Sequence, residues 1–244
     1  LKTNIKFSCV TFAILILSLN LFNDTSKMDL HSPYQNVSVK FNNNQLTPIT
    51  VQSNNIWLQT PIDLSNEANQ KKNSLWHKFY IIPFTSTNYD FEDILIVGSG
   101  TGNDVATAIR YSKGNIDAVE IDPLVANLGK KFHPEDPYNN SRVNLIINDA
   151  RNYIKEIDKK YDLIVYSVLD SHANLSSKGG VRLDSYVYTV ESFYEAKKKL
   201  KANGVMFLSF AVSTEQMGNK IFKMLKMNFD NEPKVLTRNH KTND

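Results

Sequence analysis

Three glycines, Gly98, Gly100 and Gly102, separate the apolar run "DILIV" from the helix-like "NDVATAIRY" in a chain of 244 residues. A turn without side chains bends sharply and lets a ligand come close to the main chain. A helix starting near Asn103 and Asp104 would add free N–H groups and the positive end of its dipole. Dinucleotide sites place the third glycine three residues after the second. Here it follows after two, and Asn103 stands where that glycine belongs. The spacing therefore disfavours a nicotinamide or flavin pyrophosphate.

Acids close the apolar runs that follow. "IDAVE" ends on Glu120, "NLIIND" on Asp149 and "YDLIVYSVLD" on Asp170. A carboxylate after the second strand can hold both hydroxyls of a ribose. One after the third can accept from the exocyclic amine of adenine, and Asp170 would overlie the region of group transfer. Taken alone, Glu120 or Asp149 is more often a solvated strand end. Together with the glycine turn they point to a nucleoside without a pyrophosphate, hence to a cofactor of the S-adenosylmethionine type, its amino-acid tail against the turn.

The elements that must hold these residues alternate regularly. Strands are expected at 93–98, 116–121, 143–148, 161–167 and 204–210, and helices at 103–112, 124–131, 150–157, 187–201 and 214–228. Continuous apolar strands between helices predict a doubly wound, Rossmann-like α/β sheet, with ligands beyond its carboxyl ends where the strand order reverses. Upstream, short alternating runs broken by Asn and Pro predict a small antiparallel β-unit of about three strands. Residues 73–84 read as a helix burying Trp76, Phe79 and Tyr80. The expected organisation is a hydrophobic segment at 1–30, the β-unit at 31–72 and a cofactor-binding domain at 73–244. At the far end, "EPKVLTRNHK" is expected to supply one more strand.

Composition narrows the class. An apolar content of 41% supports a sizeable core, and a net charge of +3 is too small to argue for nucleic acid. The single cysteine, Cys9, rules out a disulfide framework. No Cys/His cluster has metal-ligand spacing, so no metal is expected. "FSCVTFAILILSLNLF", residues 7–22, is apolar and follows Lys2 and Lys6. As a helix it would span about 24 Å, against about 30 Å of hydrocarbon core. It lacks the small-residue cleavage site of a signal peptide and the polar face of a surface helix. The favoured reading is the last membrane helix of a longer chain, giving a membrane-associated protein with its globular part on the cytoplasmic side.

In order, "SPYQ", the glycine turn, "VEIDP", "NDAR", "YDLIVYSVLD" and "YTVESFYEAKKKLKANGV" resemble the spermidine synthases, the polyamine aminopropyltransferases. They resemble more closely the membrane-attached bacterial relatives of that family, over about residues 31 to 240. The resemblance implies a Rossmann-like transferase that binds decarboxylated S-adenosylmethionine or S-adenosylmethionine and moves an aminopropyl group to a small amine. It also implies a homodimer. It implies that Gln35 touches the nucleoside, Glu120 the ribose, and Asp149 with Ala150 the adenine. Gly98, Gly100, Thr101, Gly102 and Asp104 would then lie beside the cofactor's tail.

The departures fall on the acceptor half. Thr101 stands where the family's turn carries an acid that helps bind a cationic amine. Ser167 stands where the family has the first aspartate of a D-x-x-D pair, its proposed general base, and Asp170 keeps the second place. A Tyr-His/Gln-Glu triplet is replaced by Trp76-His77-Lys78. A primary amine is protonated near neutrality and cannot attack carbon until it loses a proton. A placed base is worth about 10²–10⁴-fold. Ser167 is a poor base, and Lys78 facing the site would repel a cation. The cofactor half therefore reads as intact and the acceptor half as rebuilt around Ser167, Asp170 and His172, the candidate catalytic residues. His172, in a lid-like loop at 171–185, is the side chain that titrates near neutrality. Asp184 and Tyr186 either fold over the cleft or cap the next helix, and His133 reads as structural. Methyl transfer to a small molecule, or nucleoside binding without catalysis, are the alternative functions.

Overall fold

The computed structural model describes residues 26–169, 187–210, 212 and 214–236. Its first sheet is antiparallel, in the order β1 (Lys27–His31), β2 (Asn36–Phe41), β3 (Ile49–Ser53), β4 (Ile56–Gln59). These strands alternate because one face is covered. Val37, Val39, Ile49 and Val51 pack with Leu124, Leu128 and Phe132 of a later helix. Asn54 and Asn55, both at positive φ, form the two-residue turn that brings β4 back along β3.

The second sheet is parallel throughout. Its strands are β5 (Asp93–Val97), β6 (Asn115–Glu120), β7 (Val143–Ile147), β8 (Tyr161–Tyr166) and β9 (Leu200–Leu208), in the order β7-β6-β5-β8-β9. The helices are α1 (Glu67–Lys72), α2 (Ser74–Thr85), α3 (Asn103–Tyr111), α4 (Pro123–Phe132), α5 (Ala150–Glu156), α6 (Val190–Lys198) and α7 (Glu215–Asn228). Side chains of β5 point alternately into two cores. Ile94 and Ile96 join Val105 and Ala108 of α3 on one face, while Leu95 and Val97 join Ile154, Phe193 and Met224 on the other. A strand covered on both faces has no position for a polar residue, hence the unbroken "ILIV". Val97 lies level with Val119 and Tyr166, so the carboxyl ends form an even rim, and the strand order reverses between β5 and β8.

The fold class is the expected one, with corrections of detail. The antiparallel sheet has four strands and begins at Lys27, inside the segment expected to be hydrophobic. β9 starts at Leu200, not 204: Leu200 pairs with Tyr161 and Val205 with Leu163, so the residues between them loop out of the ladder. Trp76 is 37% exposed rather than buried, stacking against Trp57 and Tyr80 at the surface, and only Tyr80 is fully inside. No strand forms over residues 232–236.

The expected membrane association is also corrected. Among the described residues no helix is long and apolar enough to cross a membrane. The longest, α7, has 14 residues and carries Glu215, Lys220, Lys223 and Lys226. Lys27 to His31, in part within the expected hydrophobic segment, alternate polar and apolar and pair with β2 as a strand. Residues 7–22 themselves lie outside the described residues.

Candidate functional site

Val97 leads into a turn in which all three glycines have positive φ: 71° at Gly98, 57° at Gly100 and 105° at Gly102. Side chains are rarely tolerated there. Every N–H from Gly98 to Gly102 is used inside the protein. Gly98 and Ser99 donate to the Val119 carbonyl at 2.9 and 3.0 Å, and Gly102 donates to Ser99 at 2.9 Å. Gly100 donates to Glu120 Oε2 at 2.8 Å and Thr101 to Gln59 Oε1 at 2.7 Å. The turn itself therefore offers no free donor: main-chain carbonyls take three of its N–H groups, and the side chains of Glu120 on β6 and Gln59 on β4 take the other two. The glycine faces are covered too, by Leu169 at Gly98, Gln59 at Gly100 and Pro137 at Gly102. The first turn of α3 then carries an acid, Asp104. An anionic phosphate would meet a carboxylate and a turn with no donor left, a stronger argument against a dinucleotide than glycine spacing alone.

Glu120 closes β6 directly beneath this turn and is 8% exposed. Its Oε2 accepts from Gly100 and its Oε1 from the Asp122 N–H at 2.9 Å. Burial pushes its pKa up, and the two N–H bonds only partly oppose that. Asp122 extends the arrangement. One oxygen caps α4 through the Leu124 N–H at 2.9 Å; the other accepts from Ser32 Oγ at 2.7 Å and Gln35 Nε2 at 2.9 Å. Gln35, on the loop joining β1 to β2, is thereby brought to the acidic end of β6.

Two further residues hold the turn, and sequence reasoning did not assign them this role. Gln59, the last residue of β4, accepts through Oε1 from both the N–H and the hydroxyl of Thr101, at 2.7 and 2.8 Å. Asn103 is buried with every polar valence engaged. Its Oδ1 faces the Ile62 N–H at 3.0 Å and His133 Nε2 at 3.1 Å, while its Nδ2 donates to Thr60 O and Tyr80 Oη, each at 2.9 Å. His133 Nδ1 accepts from the Glu135 N–H at 3.1 Å, which leaves the ring proton on Nε2, facing Asn103. Burial, helped by the Arg110 charge, drives the His133 pKa down to about 3, so the ring is neutral and structural. A polar residue in place of the expected third glycine was the available signal for Asn103.

The remaining candidates divide. Asp149 ends up exposed, its Oδ1 capping α5 through the Asn152 N–H at 3.0 Å, with half-buried Ala150 beginning the helix. The strand end carrying it adjoins Glu120, whose carbonyl accepts from the Asn148 N–H at 3.1 Å. Ser167 follows β8 at the point of strand reversal, its N–H on the Val97 carbonyl at 3.1 Å. Its side chain is buried, and among the described residues the hydroxyl has no partner at hydrogen-bond geometry, Asp104 being its polar neighbour. Burial raises the pKa of Asp104 to about 6, with the nearby Ser167 hydroxyl and the residue's own N–H pulling the other way. The Trp76-His77-Lys78 triplet turns to the surface: Lys78 is exposed, and His77 Nε2 lies 2.8 Å from Tyr111 Oη. Asp170, His172, Asp184 and Tyr186 lie outside the described residues. Among the described residues no group of three or more His, Cys, Asp or Glu is placed to hold a metal ion.

A parallel sheet of this order, with a glycine turn at its switch and an acid closing the next strand, defines a Rossmann-like α/β protein. The chain belongs to the spermine/spermidine synthase domain family, whose model matches residues 83–231. It is 30% identical over 166 residues to the polyamine aminopropyltransferase of Sulfolobus acidocaldarius, covering 64% of this chain and 52% of that protein. It is 31% identical over 144 residues to that of Buchnera aphidicola, with coverages of 57% and 47%. The chain spans about half the length of the curated relatives it matches. Among solved structures, a spermidine synthase in complex with the transition state analogue AdoDATO superposes with a TM-score of 0.65 at 15% identity, over 83% of this chain and 64% of that one. The Thermotoga maritima spermidine synthase gives 0.63 at 14%, over 83% and 63%. At these identities the likeness is one of fold.

Proposed function

We propose that the protein is an aminopropyltransferase that binds decarboxylated S-adenosylmethionine and alkylates a small amine. One observation carries this reading. At the carboxyl rim every N–H of the turn is already used, while two buried carboxylates, Asp104 and Glu120, lie against it. Such a rim suits a cationic sulfonium nucleoside and repels an anionic phosphate. Membership of the spermine/spermidine synthase domain family, and relatives named polyamine aminopropyltransferase, support it.

In this reading Glu120 and Gln35 face the ribose, Asp149 and Ala150 face the adenine, and the turn from Gly98 through Thr101 to Gly102 borders the propyl tail. Ser167 faces the acceptor, and Asp170 and His172, outside the described residues, remain candidates for the same half of the site. The sulfonium makes the adjacent methylene carbon electrophilic and leaves as the neutral thioether 5′-methylthioadenosine. Methyl transfer from S-adenosylmethionine is the second reading, favoured by a hydroxyl at Ser167 where amine chemistry asks for a base.

Calorimetry with the two cofactors, followed by mass spectrometry of products from a panel of linear amines, tests this. The extra carboxylate of S-adenosylmethionine would face the acidic rim, so the decarboxylated form is expected to bind about tenfold tighter, a difference near 1.4 kcal/mol. If neither binds at micromolar concentration, or only methylated products form, the proposal is wrong.

A further inference from the structure

The proton that an acceptor amine must lose needs a carboxylate that is buried at the strand switch and still has lone pairs to offer. Most acids at the rim do not qualify. Glu120 already accepts an N–H on each oxygen and faces the ribose in the proposed reading, and Asp122 gives one oxygen to Leu124 and the other to Ser32 and Gln35. Asp149 stands in solvent as a helix cap. Asp104 differs from all three. It is 8% exposed, and the only main-chain N–H favouring its charge is its own. Beside it lies the Ser167 hydroxyl, 3% exposed and, among the described residues, without a partner at hydrogen-bond geometry. Buried polar groups are nearly always satisfied, so a buried hydroxyl short of a partner beside a buried carboxylate that meets no cation among the described residues marks the unfilled half of a site.

We propose that Asp104 is the proton acceptor of the transfer and that Ser167 orients the amine against it. This deepens the aminopropyl reading and rests on it. The acceptor enters as an ammonium and gives one proton to the Asp104 carboxylate. The freed nitrogen lone pair forms the bond to the methylene carbon, and the carbon–sulfur bond breaks with its pair passing to sulfur. A secondary ammonium and a neutral thioether result, and the proton leaves Asp104 for solvent. Among the described residues, the other titratable groups beside Asp104 are Tyr80 from α2 and Tyr138 from the short helix Pro137–Asn139, and Tyr138 also lies beside Glu120. Burial, reinforced by the charge of Asp104, holds both phenols above their ordinary range and therefore neutral. Glu120 is tied to the Gly100 and Asp122 N–H groups.

The test is the pH dependence of diamine binding by the full chain in the presence of 5′-methylthioadenosine, read by calorimetry. With Asp104 ionising at about 6, affinity should rise about tenfold between pH 5 and 7.5 and then level off. Asp104→Asn should flatten that rise and lower kcat by about 10²–10⁴-fold, with 5′-methylthioadenosine still bound as evidence of an intact fold. Asp104→Glu should restore part of both. Ser167→Ala should raise KM more than it lowers kcat. An Asp104→Asn protein that keeps the pH-dependent rise and its kcat overturns the assignment of Asp104 alone. A wild-type protein that binds no amine at any pH overturns the aminopropyl reading and this assignment with it.

Discussion

The two rims of the parallel sheet treat their acids in opposite ways. At the amino-terminal rim each carboxylate meets a lysine. Lys201 Nζ lies 2.7 Å from Asp93 and 2.9 Å from Asp162, and Lys159 lies 3.1 Å from Asp93 and 2.9 Å from Asp117. Burial pushes Asp93 and Asp162 up, but Lys201 and Lys159 beside Asp93, and Lys201 with the Asp93 and Glu92 N–H groups beside Asp162, outweigh it and hold both below the usual carboxylate range. Asp93 and Asp162 in turn raise Lys201. At the carboxyl rim, burial meets no such cation among the described residues, and Asp104 and Glu120 both move up. The same side chain ties strands together where a lysine stands beside it, and keeps a raised pKa where no described cation does.

That contrast can be broken or sharpened by substitution. The largest effect is expected at the amino-terminal rim from Asp117→Ala. It removes the acceptor shared by the buried Tyr161 hydroxyl, 2.9 Å away, by Lys159 and by Asn144, leaving Tyr161 only its contact with Tyr153 and Lys159 only its pair with Asp93. Removing one partner of such a cluster should cost about 3 kcal/mol in chemical denaturation, with turnover per folded molecule unchanged. At the other rim the sign should reverse. Asp104 ionises near 3.9 unfolded and at about 6 folded. Its charge therefore destabilises the fold fully above pH 6 and not at all below pH 4. Asp104→Asn should stabilise the protein by about 2–3 kcal/mol at pH 7.5, a gain that vanishes at pH 4. If Asp104→Asn is destabilising at pH 7.5, the carboxyl rim is not electrically open and the contrast fails.

Two smaller effects refine it. Gln59→Ala orphans the buried Thr101 N–H. The loss should be about 1–2 kcal/mol by denaturation, with weakened 5′-methylthioadenosine binding because the turn loosens. Lys201→Met removes a partly exposed cation, and its cost should stay under about 1 kcal/mol and shrink as salt is added. A larger, salt-independent loss would mean that Lys201 acts through packing rather than charge.

Much of the parallel sheet was legible because burial on both faces leaves an unmistakable mark. "DILIV" and "YDLIVY" have no solvent face, so strand, type and approximate limits follow from composition alone. Glu120 was legible for the related reason that an acid can end such a run only at its rim. The supports of the site were not. Gln59 and Asn103 act through hydrogen bonds to groups about forty residues away in sequence, and no local pattern encodes them. Asp122 carried a partial signal, since Asp before Pro is a helix-start signature, but its hold on Ser32 and Gln35 is purely tertiary. Trp76 was misplaced because helical periodicity marks an apolar stripe without saying that Trp57 would cover it only in part.

The Gln59 and Asn103 contacts have a consequence for modularity. The region matched by the family model, 83–231, begins beyond Gln59, Thr60, Ile62 and Tyr80, each of which bonds to Thr101 or Asn103. Cut out at that boundary, the nucleotide-fold unit would keep its glycines and lose what gives them one shape. Grafting this loop into another scaffold would meet the same difficulty, because its geometry belongs to the antiparallel sheet as much as to the strand that leads into it.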